Sequence, residues 1–247
     1  MIICNSRRYV FVHLHKTAGT AVTRELEQSL SWNDLSIAGT GEGNANEAWF
    51  RKRFGLEMHA GAQTIRDVLG EQIWNEYFTF AIVRNPYRRI LSLYTWLDTI
   101  YRDRGLKRLL RFVRPDRGIW AWPGMQAYLE TADFSSFLYH PALVNGAPGA
   151  RPMSDSLCDG GRLLVDFVGR MEDFDADFAT IRERIGLPIV TTERTNASSN
   201  LRDLGQYYRS QKDLDEVYNR FVQDFEMFGY EKLLWKSSGV VPEQMGR

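Results

Sequence analysis

Cysteine is almost missing. Cys4 and Cys158 stand alone among 247 residues, too few for a disulfide framework, and no Cys-x-x-Cys or Cys/His spacing suggests zinc. Net charge is missing too. The 31 Lys and Arg balance 31 Asp and Glu, so the chain as a whole advertises neither nucleic acid nor a membrane surface. Any anion site must therefore come from local placement of charge. No run of about 18 apolar residues is present, which argues against a transmembrane helix, and there is no internal repeat. The first strand begins almost directly after Met1 to Arg8, leaving no stretch for a signal peptide, so the expectation is a cytoplasmic, bacterial-type protein. What is there is ordinary for a globular chain, with 44% hydrophobic and 25% charged residues. The length suits one large α/β domain spanning 1–247 with a well-buried core.

Two stretches carry chemistry. Tyr9 to Leu14 is an apolar, β-branched and aromatic run that predicts a buried strand. It breaks into His15-Lys16-Thr17-Ala18-Gly19-Thr20, after which Ala21, Val22, Leu26 and Leu30 recur at near-helical spacing. A strand, a small-residue loop and a helix N-terminus form a cradle for phosphate, because unpaired amides and the helix dipole favour an anion there. Lys16 adds a point charge; Thr17 and Thr20 add hydroxyls. The loop lacks a nucleophile, and its order of residues fails the nucleoside-triphosphatase pattern, which needs Gly-Lys-Ser/Thr. The second stretch, Phe78 to Tyr94, again runs from a buried-type strand into Arg84-Asn85-Pro86 and a helix, with Asn85 as cap and Pro86 at the first helical position.

Together these stretches resemble the sulfotransferases that use 3′-phosphoadenosine 5′-phosphosulfate. In that family a Pro-Lys-Thr-Gly/Ala-Gly-Thr-Ser loop binds the 5′-phosphosulfate, and Arg-Asn/Asp-Pro with a Ser eight residues after the Arg binds the 3′-phosphate. Here Lys16 to Thr20 match the loop, and Arg84, Asn85, Pro86 and Ser92 match the second signature. The nearest branch contains uronyl and heparan 2-O-sulfotransferases and bacterial relatives, and its His-Ala-like segment is matched by His59-Ala60-Gly61-Ala62. His15 replaces the usual Pro and Ala21 the frequent Ser. The resemblance implies an open, mostly parallel sheet flanked by helices, akin to the P-loop nucleotide hydrolases. It also implies a donor held by Lys16, Thr17, Ala18, Gly19, Thr20, Ala21, Arg84 and Ser92, with Asn196 and Ser198 as late contacts. Adenosine 3′,5′-bisphosphate would be the product. Animal members are Golgi proteins with an N-terminal anchor.

Sulfuryl transfer to an alcohol needs a base for the hydroxyl proton and positive charge on the leaving phosphate. His59, matching the family's base, takes the first role and Lys16 the second. The sulfuryl group carries less charge than a phosphoryl group, so no metal is expected. His13 and His15, two apart on one side of a strand, are rivals; His13 reads as structural and His15 stays open. Arg88 and Arg89 read as a solvated face, and His140 as a turn residue.

The remaining expectations concern structure. Gly39 to Asn44 reads as a surface loop, Leu56 to His59 as a short strand, and Ile65, Val68 and Leu69 as a helix closed by Gly70. Residues 98–160 read as a variable insertion. Its basic helix over 102–117, followed by Trp120 and Trp122, suits either a grip on an anionic carbohydrate or small-molecule acceptor or a lid with its charges in water. Leu163 to Val168 reads as a strand left through Gly169-Arg170, and Phe174 to Ile185 as a helix ended by Gly186. Ser210 caps a last long helix striped from Leu214 to Phe228, and the tail from Ser237 reads as frayed. Two other functions fit the same residues: an atypical ATP-dependent kinase of a small metabolite, and a non-catalytic nucleotide-binding module.

Overall fold

In the computed structural model of the chain, the residues described are 1–37, 41–103, 112, 118–188, 201–236 and 239–242. They divide between two compact units, Met1–Arg84 with Met153–Asn196, and Asn85–Pro152 with Ala197–Arg247.

The first unit is built on a five-stranded sheet. Its strands are β1 (Ile2–Cys4), β2 (Tyr9–Val12), β3 (Leu35–Ser36), β4 (Phe78–Val83) and β5 (Phe167–Arg170), in spatial order β3-β1-β2-β4-β5. The central pairs β2–β4 and β4–β5 are parallel, with Phe11 opposite Phe80 and Phe80 opposite Phe167; β1 and β3 add an antiparallel edge. The fold is α/β, as expected. Strand alternation sends Ile2, Tyr9, Phe11, Phe80 and Ile82 to one face. There they meet Val22 and Leu26 of helix α1 (Gly19–Glu27) and a stripe of Phe174, Phe178 and Ile181 from a helix at Phe174–Arg184. Each such side chain, fully buried, is worth roughly 1.5–3 kcal/mol. Val10, Val12, Ala81 and Val83 on the other face are equally buried, so β2 and β4 are covered on both sides, as parallel strands require.

The second unit is mainly helical. Helix α2 (Pro86–Asp103) buries Tyr87, Ile90, Leu93 and Leu97. The Tyr87 ring packs edge-on against Phe225 and Tyr208, and the Tyr208 hydroxyl donates to the Tyr87 carbonyl.

Several local expectations change. Gly41, Gly43 and Asn44 open a helix, Gly41–Phe54, instead of forming a loop. Ala45, Glu47 and Ala48, all good helix formers, work against a glycine cost of about 1 kcal/mol each, and the Glu47 carboxylate ties the helix to the Met58 amide. Met58 and His59 lie in a turn and not a strand. The helix Ala62–Leu69 with Gly70 at its end forms as read. The single strand expected from Leu163 to Val168 is split: Leu163 pairs with Cys158 in a small antiparallel ribbon, and the sheet strand starts at Phe167, where the Asp166 carboxylate accepts from the Thr79 amide and hydroxyl and seats its entry. Gly169 and Arg170 belong to that strand. A Cβ on Gly169 would stand 2.8 Å from Ile82 Cδ1 of the neighbouring strand and 3.2 Å from Asp177 Cβ of the helix at Phe174–Arg184, so glycine permits the close helix–sheet approach. Ser210 caps its helix, accepting from the Asp213 amide, but the helix stops at Arg220 and a second one, Val222–Phe228, begins. Gly239–Pro242, placed in the frayed tail, pairs instead with Leu233–Lys236 as a hairpin. Of the basic segment, only Arg102, Asp103 and Phe112 are described; Arg102 pairs with Asp98 at 2.9 Å. Among the described residues no helix is long and apolar enough to cross a membrane.

Candidate functional site

The site is assembled from the loop between β2 and α1. Lys16 and Ala18 both have left-handed backbones, with φ of 63° and 62°, a conformation that costs a non-glycine residue about 1 kcal/mol or more. Ala18 precedes α1 without a side-chain cap, and its carbonyl receives the amides of Ala21 and Val22. Left-handed residues on both sides of Thr17 are the kind of backbone from which anion nests are built. Thr17 is buried, and its hydroxyl donates to the Leu14 carbonyl at 3.2 Å. Its side chain therefore clamps the loop, so the reading of a hydroxyl aimed at phosphate gives way to one in which Thr17 offers its amide. Gly19 is required by space: a Cβ there would stand 2.0 Å from His13 Cδ2. Thr20 is exposed and Ala21 half-buried in the first turn of α1.

Two cations share the loop. Arg84, just past the end of β4, donates from Nη1 to the Lys16 carbonyl at 3.4 Å. Burial, and secondly the neighbouring Arg84 guanidinium, push the Lys16 ammonium down to about 8. Holding two like charges together at a partly buried place disfavours the protein alone and favours an anion that joins them. The same loop anchors His59. His59 Nδ1 lies 2.8 Å from the His13 carbonyl oxygen; a carbonyl only accepts, so Nδ1 carries a proton, and in the neutral ring the lone pair is on Nε2. The His15 ring covers His59 at 3.4 Å between centroids, and the His13 ring meets its edge at 4.8 Å. His13 is 3% exposed, and its Nδ1 has no hydrogen-bond partner. Burial, then the positive charges around it, hold its imidazole well below the usual range and so neutral. Among the described residues no group of three or more His, Cys, Asp or Glu is arranged to hold a metal ion.

The structure thus brings together Lys16, Thr17, Ala18, Gly19, His59 and Arg84 in the first unit. Ser92 is half-buried on α2 of the second unit, four residues from half-buried Arg88. Arg89 departs from the solvated-face reading. It is buried, donates to the Arg151 carbonyl at 2.7 Å and lies over the Phe221 ring. Asn196 and Ser198 lie outside the described residues. His140 is structural, capping a turn by accepting from the Ala142 amide and facing Glu130. Two features were not found from sequence. The His13 carbonyl that orients His59 is a backbone atom and leaves no residue signal. The His15–His59 stack does have one, the same-side placement of residues 13 and 15.

An uncharacterized protein of Archaeoglobus fulgidus is 21% identical over 139 residues, which is 56% of this chain and 92% of that protein. No solved structure matches the chain. The family described as "Sulfotransferase family" matches residues 1–231, taking in the strand–loop–helix, His59 and the Arg84 corner alike, and this chain belongs to that sulfotransferase family.

Proposed function

We propose that the protein moves a sulfuryl group from 3′-phosphoadenosine 5′-phosphosulfate to a hydroxyl of a carbohydrate or small-molecule acceptor. The observation that carries this reading is the meeting of Lys16 and Arg84 on one left-handed loop to which His59 is also bound. That arrangement suits a donor with phosphate at both ends, and the donor supplies an activated sulfuryl group with a good leaving phosphate. The amides of residues 17–21 hold its 5′ end. Arg84 holds the 3′-phosphate, with Ser92 as its companion by resemblance; Asn196 and Ser198 enter on resemblance alone. Lys16 stabilises the charge that develops on the bridging oxygen, an interaction stronger in the transition state than before it. His59 Nε2 takes the acceptor's proton, with the Nδ1 bond to His13 fixing the tautomer that can do so.

A thermal-shift comparison of adenosine 3′,5′-bisphosphate with AMP and ATP tests the nucleotide. Selective stabilisation by the bisphosphate, lost in Arg84→Ala, is expected. An equal response to ATP would favour phosphoryl transfer. Turnover then tests the base: His59→Ala is expected to slow it about 10²–10⁴-fold with bisphosphate binding kept. A variant as fast as the parent would remove His59 from the mechanism.

A further inference from the structure

We propose that His15 is the positioning residue for His59, acting through its ring face and not as a second base; this rests on the transfer reading above. The bond from His59 Nδ1 to the His13 carbonyl fixes one point of the imidazole. A hydrogen bond at Nδ1 sets the direction of the ring but not the tilt of its plane, and a change of tilt swings Nε2 out of the 2.6–3.2 Å range of proton transfer. The His15 ring lies across the face of His59, with centroids 3.4 Å apart and planes 32° apart, and blocks that motion from one side. From another direction the buried His13 ring meets His59 edge-on at 75°. The His13 carbonyl and the rings of His13 and His15 therefore bear on one imidazole together. The left-handed backbone of Lys16 turns the chain immediately after His15. The clamp and the leaving-group lysine are thus neighbours in one short segment, so setting the loop sets both ends of the reaction. This also assigns the histidine that departs from the usual proline of the resembled loop.

The test uses the full chain and the variants His15→Phe and His15→Ala. Imidazole nitrogen shifts report the His59 tautomer. Calorimetry reports adenosine 3′,5′-bisphosphate affinity. Bisphosphate release from 3′-phosphoadenosine 5′-phosphosulfate with a panel of mono- and disaccharides reports kcat. Removing the ring in His15→Ala is expected to let His59 mix its two tautomers and to lower kcat about tenfold to a hundredfold, with affinity unchanged. His15→Phe keeps a flat ring without nitrogens and is expected to restore both tautomer and kcat. A His15→Phe protein as slow as His15→Ala, its His59 still protonated on Nδ1, would overturn the clamp in favour of a proton-carrying role. So would a His15→Ala protein matching the parent in tautomer and rate. If the parent itself turns over no sulfuryl donor, the transfer reading fails, while the tautomer measurement still decides the clamp.

Discussion

The two strand-to-helix corners that carry the proposed donor contacts are solved in opposite ways. At the β4–α2 corner the backbone of the helix start is satisfied locally. Asn85 accepts the Tyr87 amide on its side chain at 3.0 Å and the Arg89 amide on its carbonyl, and Pro86 supplies a first helical residue that has no amide to satisfy. At the β2–α1 corner two non-glycine residues are left-handed, the helix has no side-chain cap, and a buried histidine nitrogen is unpartnered. A saturated corner can offer a ligand only what projects from it, which is the Arg84 side chain. An unsaturated, strained corner has backbone to offer, and strain of this kind persists only where the surroundings over-determine it. The division of labour proposed for the donor follows: amides and Lys16 at one end, a guanidinium at the other.

The sharpest break of this contrast is Gly19→Ala. The added methyl would stand 2.0 Å from His13 Cδ2 and 2.1 Å from Nε2. His13 is fully enclosed, so the clash moves either the loop or the carbonyl that holds His59. A loss of about 1–3 kcal/mol in unfolding free energy is expected, with loss of bisphosphate binding. A variant of parental stability and affinity would mean the first corner is far more pliable than its burial implies.

Next in size is a pH effect confined to the first corner. An anion bound between Lys16 and Arg84 raises the Lys16 pKa from about 8 in the protein alone. Above that pH, binding must take up a proton. Bisphosphate affinity should therefore be flat below about pH 8 and fall by up to tenfold per pH unit as pH rises above it. Arg84 stays protonated throughout, so Arg84→Ala lowers the affinity and keeps the slope but moves its onset to higher pH, because the like charge that depresses Lys16 is gone, and Lys16→Arg abolishes the slope. Calorimetry in buffers of different ionisation heat reads the proton directly. A slope that survives Lys16→Arg would place the titrating group elsewhere.

How much of this was readable beforehand divides along the same line. Strong apolar runs fix β2 and β4, because parallel strands buried on both faces need β-branched and aromatic residues at nearly every position. The second corner was readable as well, since Asn-Pro after such a run is a cap with a chemical signature. The first corner was readable only in outline. Left-handed conformation leaves a sequence mark when glycine or asparagine adopts it, and here a lysine and an alanine do. His59 was found through its neighbours in sequence, but its orienting partner is a main-chain oxygen. The antiparallel strands β1 and β3 span 3 and 2 residues, too short for any period to emerge. The break at Phe221 is invisible in the stripe from Leu214 to Phe228, because both helices bury the same kind of residue.

The smallest effects are also the cleanest, because they should differ in sign. Asn85→Ala removes the side-chain acceptor for Tyr87 and should cost about 1 kcal/mol of stability. Ala18→Gly relieves a left-handed alanine. Glycine's freer unfolded chain takes back part of the gain, so the net should be a stabilisation of about 0.5–1 kcal/mol. Bisphosphate affinity should fall in Ala18→Gly, since a loop that no longer has to be left-handed at that residue must be ordered by the ligand. It should not change in Asn85→Ala, because the cap faces its own helix. Chemical denaturation with calorimetry on both variants decides the matter. If Ala18→Gly destabilises, or stabilises without weakening binding, the left-handed backbone is not strain held in readiness for an anion, and the two corners differ in shape alone.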